Sequence, residues 1–306
     1  MYSVRGGLRP TPPFDFAKSL DFLRMFPMMR EDHVKGSELT NAISINHQTI
    51  AFELRSTGTI RQPRLKYTLY SEKPLSVRSQ RAVEDRLGFF LSIDDRLEMF
   101  YKIARGDDCF RQVVEQFYGL HQVKFLTPFE SACWAVLSQR TLMSEAQRAR
   151  ATFVTRFGSM IRVGNHEYWA FPEPSRIAEA SRDDILEVTH NRRKAEYLAE
   201  VARAFNSIDE KFLRTGNYAR VEAWLEGIKG IGEWSARLVL LRGLGRMDEL
   251  GVEKRLFSAF SQVYGKTGPV SRELFDEVAG KYGVLKGYWA YYLRAANLEE
   301  TPPLTS

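Results

Sequence analysis

The spacing of apolar residues predicts a mixed α and β region in the first third of the chain. Apolar positions recur at helical spacing over Phe16–Phe26, and a helix with one charged and one apolar face is predicted from about Ser79 to Leu91. Between these helices, runs rich in β-forming residues predict strands at Leu39–Ile45, Thr49–Leu54 and Leu65–Tyr70. Residues 1–107 are therefore expected to form a small antiparallel sheet with helices packed against it.

From residue 108 onward, helical periodicity replaces the β signal. Short links that contain Gly, Pro, Asn or Asp separate most of the helical segments, as in a compact all-α domain. The predicted helices are Phe110–Tyr118, Pro128–Phe157, Pro174–Ala180, Arg182–Val188, Arg192–Asn206, Val221–Gly227, Glu233–Leu244, Lys254–Val263, Ser271–Lys281 and Tyr288–Ala296. We expect a mostly α protein, with an N-terminal α+β domain at residues 1–107 and a helical domain at residues 108–306.

The composition argues against several classes of protein. The sequence contains no apolar run of about eighteen residues and no secretory signal, so we expect no membrane span. Without targeting signals the default expectation is a cytoplasmic, nucleoid-associated location, and we separately expect a monomer. Two separated cysteines, Cys109 and Cys133, and five scattered histidines offer neither a disulfide framework nor a metal site held by side chains. The net charge of +6 favours a polyanionic partner through counterion release.

The most informative segment is the glycine-rich link in Leu225–Ala236. One helix is predicted to end near Leu225 and another to start near Glu233, with Gly230 and Gly232 available for positive φ angles and Ile231 as a plug between the helices. Backbone N–H groups at the start of the second helix would face outward, where they suit a phosphate. The spacing is equally typical of a glycine-closed helical hairpin that binds nothing.

The run Gly230–Ala236, followed by Leu-Arg-Gly at 241–243, resembles the helix-hairpin-helix DNA glycosylase superfamily, and within it 3-methyladenine DNA glycosylase II. The resemblance extends, in the right order, through Pro12–Asp15, Pro128–Glu130, Leu137–Gln139 and Arg193–Ala195. It implies two helical subdomains that flank a cleft, with the hairpin motif at about 221–244. It also implies a double-stranded DNA partner that contains damaged bases.

The resemblance further implies a reaction. Such enzymes flip the damaged nucleotide out of the duplex and break its glycosidic bond through an oxocarbenium-like state. Relatives that also nick the strand use a lysine at the start of the second hairpin helix, where this chain has Trp234, so a monofunctional hydrolase for alkylated purines is expected. The indole either lines the base pocket, where its π face suits a cationic purine, or packs between helices.

The family places a catalytic Asp at the start of the next helix. Glu253 stands 19 residues after Trp234 at that spacing, and it acts either as the catalytic carboxylate or as a helix cap. A comparison without gaps places Lys254 there instead, and we assign Lys254 to the substrate-binding set. Asp248 and Glu249 are nearby alternatives that come too early.

Further residues are carried over from the resemblance. Phe22 and Tyr282 match aromatic pocket positions, although each is as readily explained as core. Arg140 falls where the family fills the gap left by the flipped base, so it fills that gap, holds a phosphate or is merely solvated. The predicted DNA contacts are Gln139, Arg140, Gly230, Ile231, Gly232 and Ser235. No cofactor is expected, apart from an alkali-metal ion that the family suggests on the hairpin carbonyls.

Two other interpretations stay open. The first is a non-catalytic DNA damage- or structure-binding relative, in which Glu253 replaces the family Asp. The second is an oxidised-base glycosylase with lyase activity, for which Lys229 or Lys254 would have to act as the nucleophile.

Overall fold

The computed structural model of the chain describes residues 1–25, 34–250, 254–265, 268 and 270–300. Its strands are β1 (Tyr2–Leu8), β2 (Val34–Lys35), β3 (Glu38–Ile45), β4 (Gln48–Ser56), β5 (Leu65–Ser71), β6 (Ser159–Val163) and β7 (His166–Ala170). Its α-helices are α1 (Phe16–Met25), α2 (Val77–Phe90), α3 (Glu98–Arg105), α4 (Arg111–Gln116), α5 (Pro128–Leu137), α6 (Met143–Phe157), α7 (Pro174–Ala178), α8 (Arg182–Thr189), α9 (Arg192–Ser207), α10 (Glu210–Thr215), α11 (Tyr218–Glu226), α12 (Glu233–Leu238), α13 (Lys254–Val263), α14 (Arg272–Gly280) and α15 (Lys286–Glu300). A π-helical turn at Val239–Gly243 continues α12, and a 3-10 turn at Gly283–Leu285 precedes α15.

Within the described residues, β1–β5 form one antiparallel sheet with the order β1-β5-β4-β3-β2. The predicted strands are confirmed as β3, β4 and β5, and Phe52 of β4 faces Leu69 of β5 in the buried layer. Strand β1 was missed, because Gly6 and Gly7 interrupt its alternation.

Two large hydrophobic cores account for most of the buried residues in the described part of the chain. The first core joins the sheet and α1–α4 to α13–α15, so it includes residues on both sides of the predicted boundary at 107. The second core lies between residues 129 and 244 and is built from α5–α12. The chain thus leaves the first core after Leu126 and returns to it at Met247, and the hairpin segment lies just before this return.

Helix α5 lies at the centre of the second core, and all ten of its residues are buried. The prediction of one continuous helix over Pro128–Phe157 was wrong. The helix stops at Leu137 because Arg140 takes a left-handed conformation with φ 49°, and α6 begins only at Met143. Thr127 caps the start of α5 through a hydrogen bond from the Glu130 N–H.

The region predicted to be all helical also contains the β6–β7 hairpin. Its Ile161 and Ala170 pack on Ala42 and Ala51 of the sheet, on the face opposite the main core. This packing explains why Ala51 is buried although it points away from Ile50 and Phe52. Helices α3 and α10 were also missed. No helix in the described part of the chain is long and apolar enough to span a bilayer.

Candidate functional site at the helical hairpin

The turn between α11 and α12 is fixed by its own backbone and by two isoleucines. The Ile228 N–H donates to the Leu225 carbonyl at 3.0 Å, and the Ile231 N–H donates to the Ile228 carbonyl at 2.9 Å. Both side chains are buried in the second core, so Ile231 occupies the position between the helices that the sequence predicted. The exposed backbone of the hairpin therefore rests on apolar anchors.

Two glycines of this turn have different roles. Gly230 has φ +97°, and a Cβ atom on it would lie 2.3 Å from Cγ of Tyr197 in α9, so only glycine fits here. Gly232 has φ −96°, so it does not take the positive φ for which glycine was expected at this position. A Cβ atom on it would meet nothing within 4 Å. Gly232 instead leaves the backbone uncovered where α12 begins.

Gln139 joins the hairpin to the turn between α5 and α6. Its Nε2 donates to the Gly230 carbonyl at 2.8 Å and to the Ser235 hydroxyl at 3.2 Å. Its backbone carbonyl accepts a hydrogen bond from Thr141 Oγ1 at 2.8 Å. Gln139 and Ser235 are thus hydrogen-bonded to each other within the protein. Their contact with DNA stays a prediction.

Lys194 holds the same turn from the other side. Its ammonium donates to the Leu137 carbonyl at 2.6 Å, at the end of α5, and to Thr141 Oγ1. A cation at this point interacts favourably with the C-terminal end of the helix dipole. Partial burial lowers the pKa of Lys194 below its ordinary value.

These contacts bring three segments together at one surface, which we call the hairpin edge: residues 138–143, 191–194 and 228–235. Arg140, Arg192 and Arg193 are exposed on it. Trp234 is also exposed there, with 56% of its surface accessible, so the alternative that it packs between helices is wrong. The hairpin edge therefore presents an accessible indole, exposed guanidinium groups and uncovered backbone on three segments that are joined by hydrogen bonds.

The two other aromatic residues carried over from the resemblance lie in the first core. Phe22 is 3% exposed, its ring lies 5.1 Å from that of Tyr291, and the Arg242 guanidinium carbon lies 4.9 Å from its ring centre. Tyr282 is 2% exposed and donates to Asp107 Oδ2 at 2.9 Å. Burial and the nearby phenol and carboxylate oxygens raise the pKa of Tyr282 far above its usual range. Their contact with a substrate stays a prediction.

Glu253 and the side chain of Lys254 lie outside the described residues. The two earlier carboxylates are described and are both paired. Asp248 accepts a hydrogen bond from Arg246 Nε at 3.1 Å, and Glu249 lies 2.7 Å from the Lys286 ammonium. Both carboxylates are thus ion-paired, and the assignment of the catalytic carboxylate to Glu253 stays a prediction.

The hairpin carbonyls are of the chemical type that binds alkali-metal ions. Those of Ile228 and Gly230 each accept one hydrogen bond, which leaves a second lone pair on each oxygen. These oxygens are chemically suited to such an ion, and its presence stays a prediction. Among the described residues, His, Cys, Asp and Glu form no cluster that could hold a metal.

This geometry has counterparts among known proteins. Residues 133–277 match the family model described as HhH-GPD superfamily base excision DNA repair protein. The match includes the hairpin, Gln139, Lys194 and Trp234.

Individual relatives agree with this family. A DNA-3-methyladenine glycosylase of Bacillus subtilis is 30% identical over 178 residues, which are 58% of this chain and 59% of that protein. A solved 3-methyladenine DNA glycosylase of Archaeoglobus fulgidus has the same fold, with a TM-score of 0.77, 23% identity and coverage of 95% and 98% of the two chains. An 8-oxoguanine glycosylase/lyase of Clostridium acetobutylicum, solved with double-stranded DNA, has a TM-score of 0.64 at 16% identity and covers 97% and 98%.

Proposed function

We propose that this protein is a monofunctional DNA glycosylase that removes alkylated purines from double-stranded DNA in base-excision repair. The observation that carries the proposal is the hairpin edge, where Gln139 fixes the arginine-bearing turn against the hairpin beside the exposed Trp234. The names of the relatives and the superfamily domain support the same reaction class.

The hairpin edge suits a duplex backbone. Arg140, Arg192 and Arg193 supply positive charge, and the backbone around Gly232 is open to close approach by a phosphate. Such contacts position the duplex without reading its sequence, which is what a repair enzyme that scans for rare lesions requires.

Excision proceeds from a flipped nucleotide. Extrusion costs a few kcal/mol, and the cost is lower for a base that already pairs poorly. An alkylated purine carries a positive charge, so it stacks favourably on an indole face and departs without a strong acid. We assign the indole to Trp234 and the carboxylate that stabilises the oxocarbenium charge to Glu253, whose side chain activates the attacking water.

The lysines do not favour a lyase. Trp234 occupies the position of the lyase lysine and cannot form a Schiff base. Lys229 lies 2.7 Å from Glu196, and this hydrogen bond raises the pKa of Lys229, so its amine stays protonated and is a poor nucleophile. We therefore assign the protein a hydrolytic reaction alone. The proposal also includes the monomeric form and the cytoplasmic location expected from the sequence.

Chromatographic analysis of bases released from a methylated duplex tests this proposal. We expect free methylated purine, an intact strand before alkali treatment, and no covalent complex after borohydride treatment with abasic duplex. A borohydride-trapped complex would overturn the monofunctional assignment, and a preference for oxidised purines would overturn the substrate class.

One sequence feature favours a second candidate, a non-catalytic DNA-binding relative. The family carboxylate is Asp, and the extra methylene of Glu253 moves the charge by roughly 1 Å, a displacement that can lower the rate about 100-fold. Tight binding of methylated duplex without release of any base would favour this candidate.

A further inference from the structure

One row of the five-stranded sheet places like charges directly opposite each other. The described strands set two charged residues face to face at four positions, and three of these pairs join opposite charges: Lys35 with Glu38, Glu38 with Arg55, and Arg162 with Glu167. The fourth pair joins Arg55 of β4 to Lys66 of β5. Like charges directly opposite each other destabilise a sheet, so the stability of the fold does not favour this pair.

The rest of the row does not compensate for this repulsion. On its other side, Lys66 faces Gly7 of β1, which has no side chain to shield it. Glu38 faces both Lys35 and Arg55, so the row holds three cations and one acid. Arg55 and Lys66 are exposed, and within the described part of the chain neither side chain has an ion pair or a hydrogen bond.

Further cations lie around this row. Exposed and buried residues alternate from Pro63 to Tyr67, which places Arg64 on the same outward side as Lys66. Arg5 lies two residues before Gly7 and also points outward. We call the exposed cations at this end of the sheet and in its adjoining turns the sheet patch: Arg5, Arg9, Arg55, Arg61, Arg64 and Lys66.

The sheet patch differs from several other exposed arginines of this fold. Arg111, Arg156 and Arg272 each lie within 2.6 Å of a carboxylate oxygen, which neutralises their charge locally. Among the described residues, no such partner holds any of the side chains of the sheet patch. The sheet patch therefore carries positive charge that the protein itself does not neutralise.

The composition of the sheet patch favours DNA over an acidic protein. The outward strand residues between its cations are Gly7, Thr68 and Glu53, none of which offers a large apolar group. Protein interfaces are usually anchored by aromatic and other apolar residues at their centre and are poor in lysine. Duplex DNA instead presents one negative charge per roughly 1.7 Å of its axis, which matches a cluster of unpaired cations.

The sheet patch is separate from the hairpin edge. Helix α6 begins within the hairpin edge and leads to β6, which packs with β7 on the other end of the same sheet face. The 15 residues of α6 span roughly 22 Å. The sheet patch therefore lies outside the surface where the damaged base is expected.

We infer that the sheet patch binds the phosphate backbone of DNA outside the damaged site and thereby helps to hold the protein on undamaged duplex. The inference rests on the proposed function for the identity of the polyanion. The DNA is either a flank of the duplex at the hairpin edge or a second duplex. Backbone contacts of this kind carry no sequence information, and their contribution depends steeply on salt.

The triple variant Arg55→Gln, Arg64→Gln and Lys66→Gln tests the inference through this salt dependence. We measure affinity for an undamaged duplex at several salt concentrations. The slope of log K against log salt should be less steep than in the wild type by about 2 to 3, because each phosphate contact contributes about 0.9. Equal slopes for the wild type and this variant would overturn the inference.

The matched control removes the same charge from paired arginines, as the triple variant Arg111→Gln, Arg156→Gln and Arg272→Gln. Its slope should stay close to that of the wild type. A change as large as that of the sheet-patch variant would show that only net charge matters, and would overturn the inference.

A single charge reversal separates DNA binding from folding. Lys66→Glu gives Arg55 a neighbour of opposite charge across the strands, so we expect a higher Tm together with weaker binding of duplex. A lower Tm would contradict the argument from repulsion, and unchanged affinity would overturn the inference.

Further readouts identify the partner. If a flank is bound, the gain in affinity from a duplex of about 12 base pairs to one of about 40 should be larger for the wild type than for the sheet-patch triple variant. If a second duplex is bound, the wild type should bind one more short duplex per protein than this variant. Loss of affinity for labelled poly-glutamate at an unchanged DNA slope would overturn the assignment to DNA. If the wild type shows the expected salt dependence but releases no methylated purine, the proposed function fails while the inference stands.

Discussion

The hairpin edge and the aromatic centre of the first core both carry residues that the family resemblance assigns to substrate, yet they are built in opposite ways. At the hairpin edge, Trp234 and Leu142 are largely exposed above a backbone that Gln139 and Lys194 hold in place. In the aromatic centre, Tyr282 is enclosed by Phe100, Phe110 and Trp289, with ring centres 5.7 to 6.0 Å away.

The two regions also differ in how their polar groups are bonded. Asp107 receives hydrogen bonds from both Tyr282 and Tyr264, at 2.9 and 2.6 Å, and Trp289 donates to Tyr264 at 3.0 Å. The aromatic centre thus satisfies its polar groups internally, whereas the hairpin edge leaves its three exposed arginines and its indole accessible to a partner. A matching position in a family does not establish a role, because exposure decides which ring a substrate can reach.

The largest expected effect comes from breaking the support of the hairpin edge. Gly230→Ala forces a Cβ atom into the Tyr197 ring at a positive φ, so we expect a loss of about 2–4 kcal/mol in unfolding free energy, and DNA binding should be lost with it. Denaturant unfolding and duplex titration measure both. Gly164→Ala is the control, because Gly164 has φ +59° and an added Cβ atom would meet nothing within 4 Å. This variant should lose only the free energy that alanine costs at a positive φ. Equal losses in the two variants would contradict the role of Tyr197.

The buried Lys124, at the border of the first core, predicts how the stability of the protein depends on pH. Lys124 is buried, and burial lowers its pKa from 10.5 to about 8. Between these two values the unfolded chain binds more protons than the folded chain, so this group makes stability rise with pH from about 8 to about 10.5. Below pH 8 the full cost of the buried charge is present. We compare the unfolding free energy of Lys124→Met with that of the wild type at two pH values. This difference should favour the variant by about 3 kcal/mol more at pH 7 than at pH 10.5, whatever the change in packing contributes at both.

Denaturant unfolding at the two pH values checks this prediction for Lys124. The variant Lys73→Met, at an exposed lysine, serves as the control and should show no such dependence. A stability difference that is independent of pH would mean that Lys124 has the same pKa in the folded and the unfolded chain, and would contradict the effect of burial.

Removal of the exposed indole should change function without changing the fold. Because Trp234 is more than half exposed, Trp234→Ala should leave the Tm nearly unchanged while base release slows about 10- to 100-fold, as stacking on one base contributes about 1–3 kcal/mol. Thermal unfolding and single-turnover kinetics make the comparison, with Trp234→Phe retaining part of the rate. A large fall in Tm would show that the indole packs within the protein after all.

The smallest effect is expected in the aromatic centre. Tyr282→Phe keeps the ring and removes the hydrogen bond to Asp107, which still accepts one from Tyr264. We expect a loss of about 1 kcal/mol in unfolding free energy and no change in base release. A strong fall in the rate at unchanged stability would instead place the Tyr282 hydroxyl in contact with the substrate.

The sequence predicted the regular elements well where periodicity was uninterrupted. Strands β3–β5 and the helices around the hairpin follow from their apolar spacing and glycines. The break at Arg140 could not be predicted in this way, because the residues on both sides continue a helical pattern and a tertiary contact from Lys194 fixes the turn. The β6–β7 hairpin was missed because its burial depends on the distant Ala42 and Ala51.

The residues of the candidate site also fall into those that a local motif predicts and those that depend on contacts distant in sequence. Gly230, Ile231 and Trp234 were found from a local motif, whose spacing reflects backbone constraints within a few residues. Lys194 and Tyr197 were not assigned to the site, since their contacts join segments that are distant in sequence.

The proposed reaction and its carboxylate are best tested together, by single-turnover release of methylated purine by the wild type and by Glu253→Gln, with duplex affinity measured in parallel. Glu249→Gln is the matched control, since Glu249 is paired with Lys286. We predict that the wild type and Glu249→Gln release base, and that Glu253→Gln binds the duplex with similar affinity but releases none. Release at the wild-type rate by Glu253→Gln, or binding without release by the wild type, would contradict the proposed function.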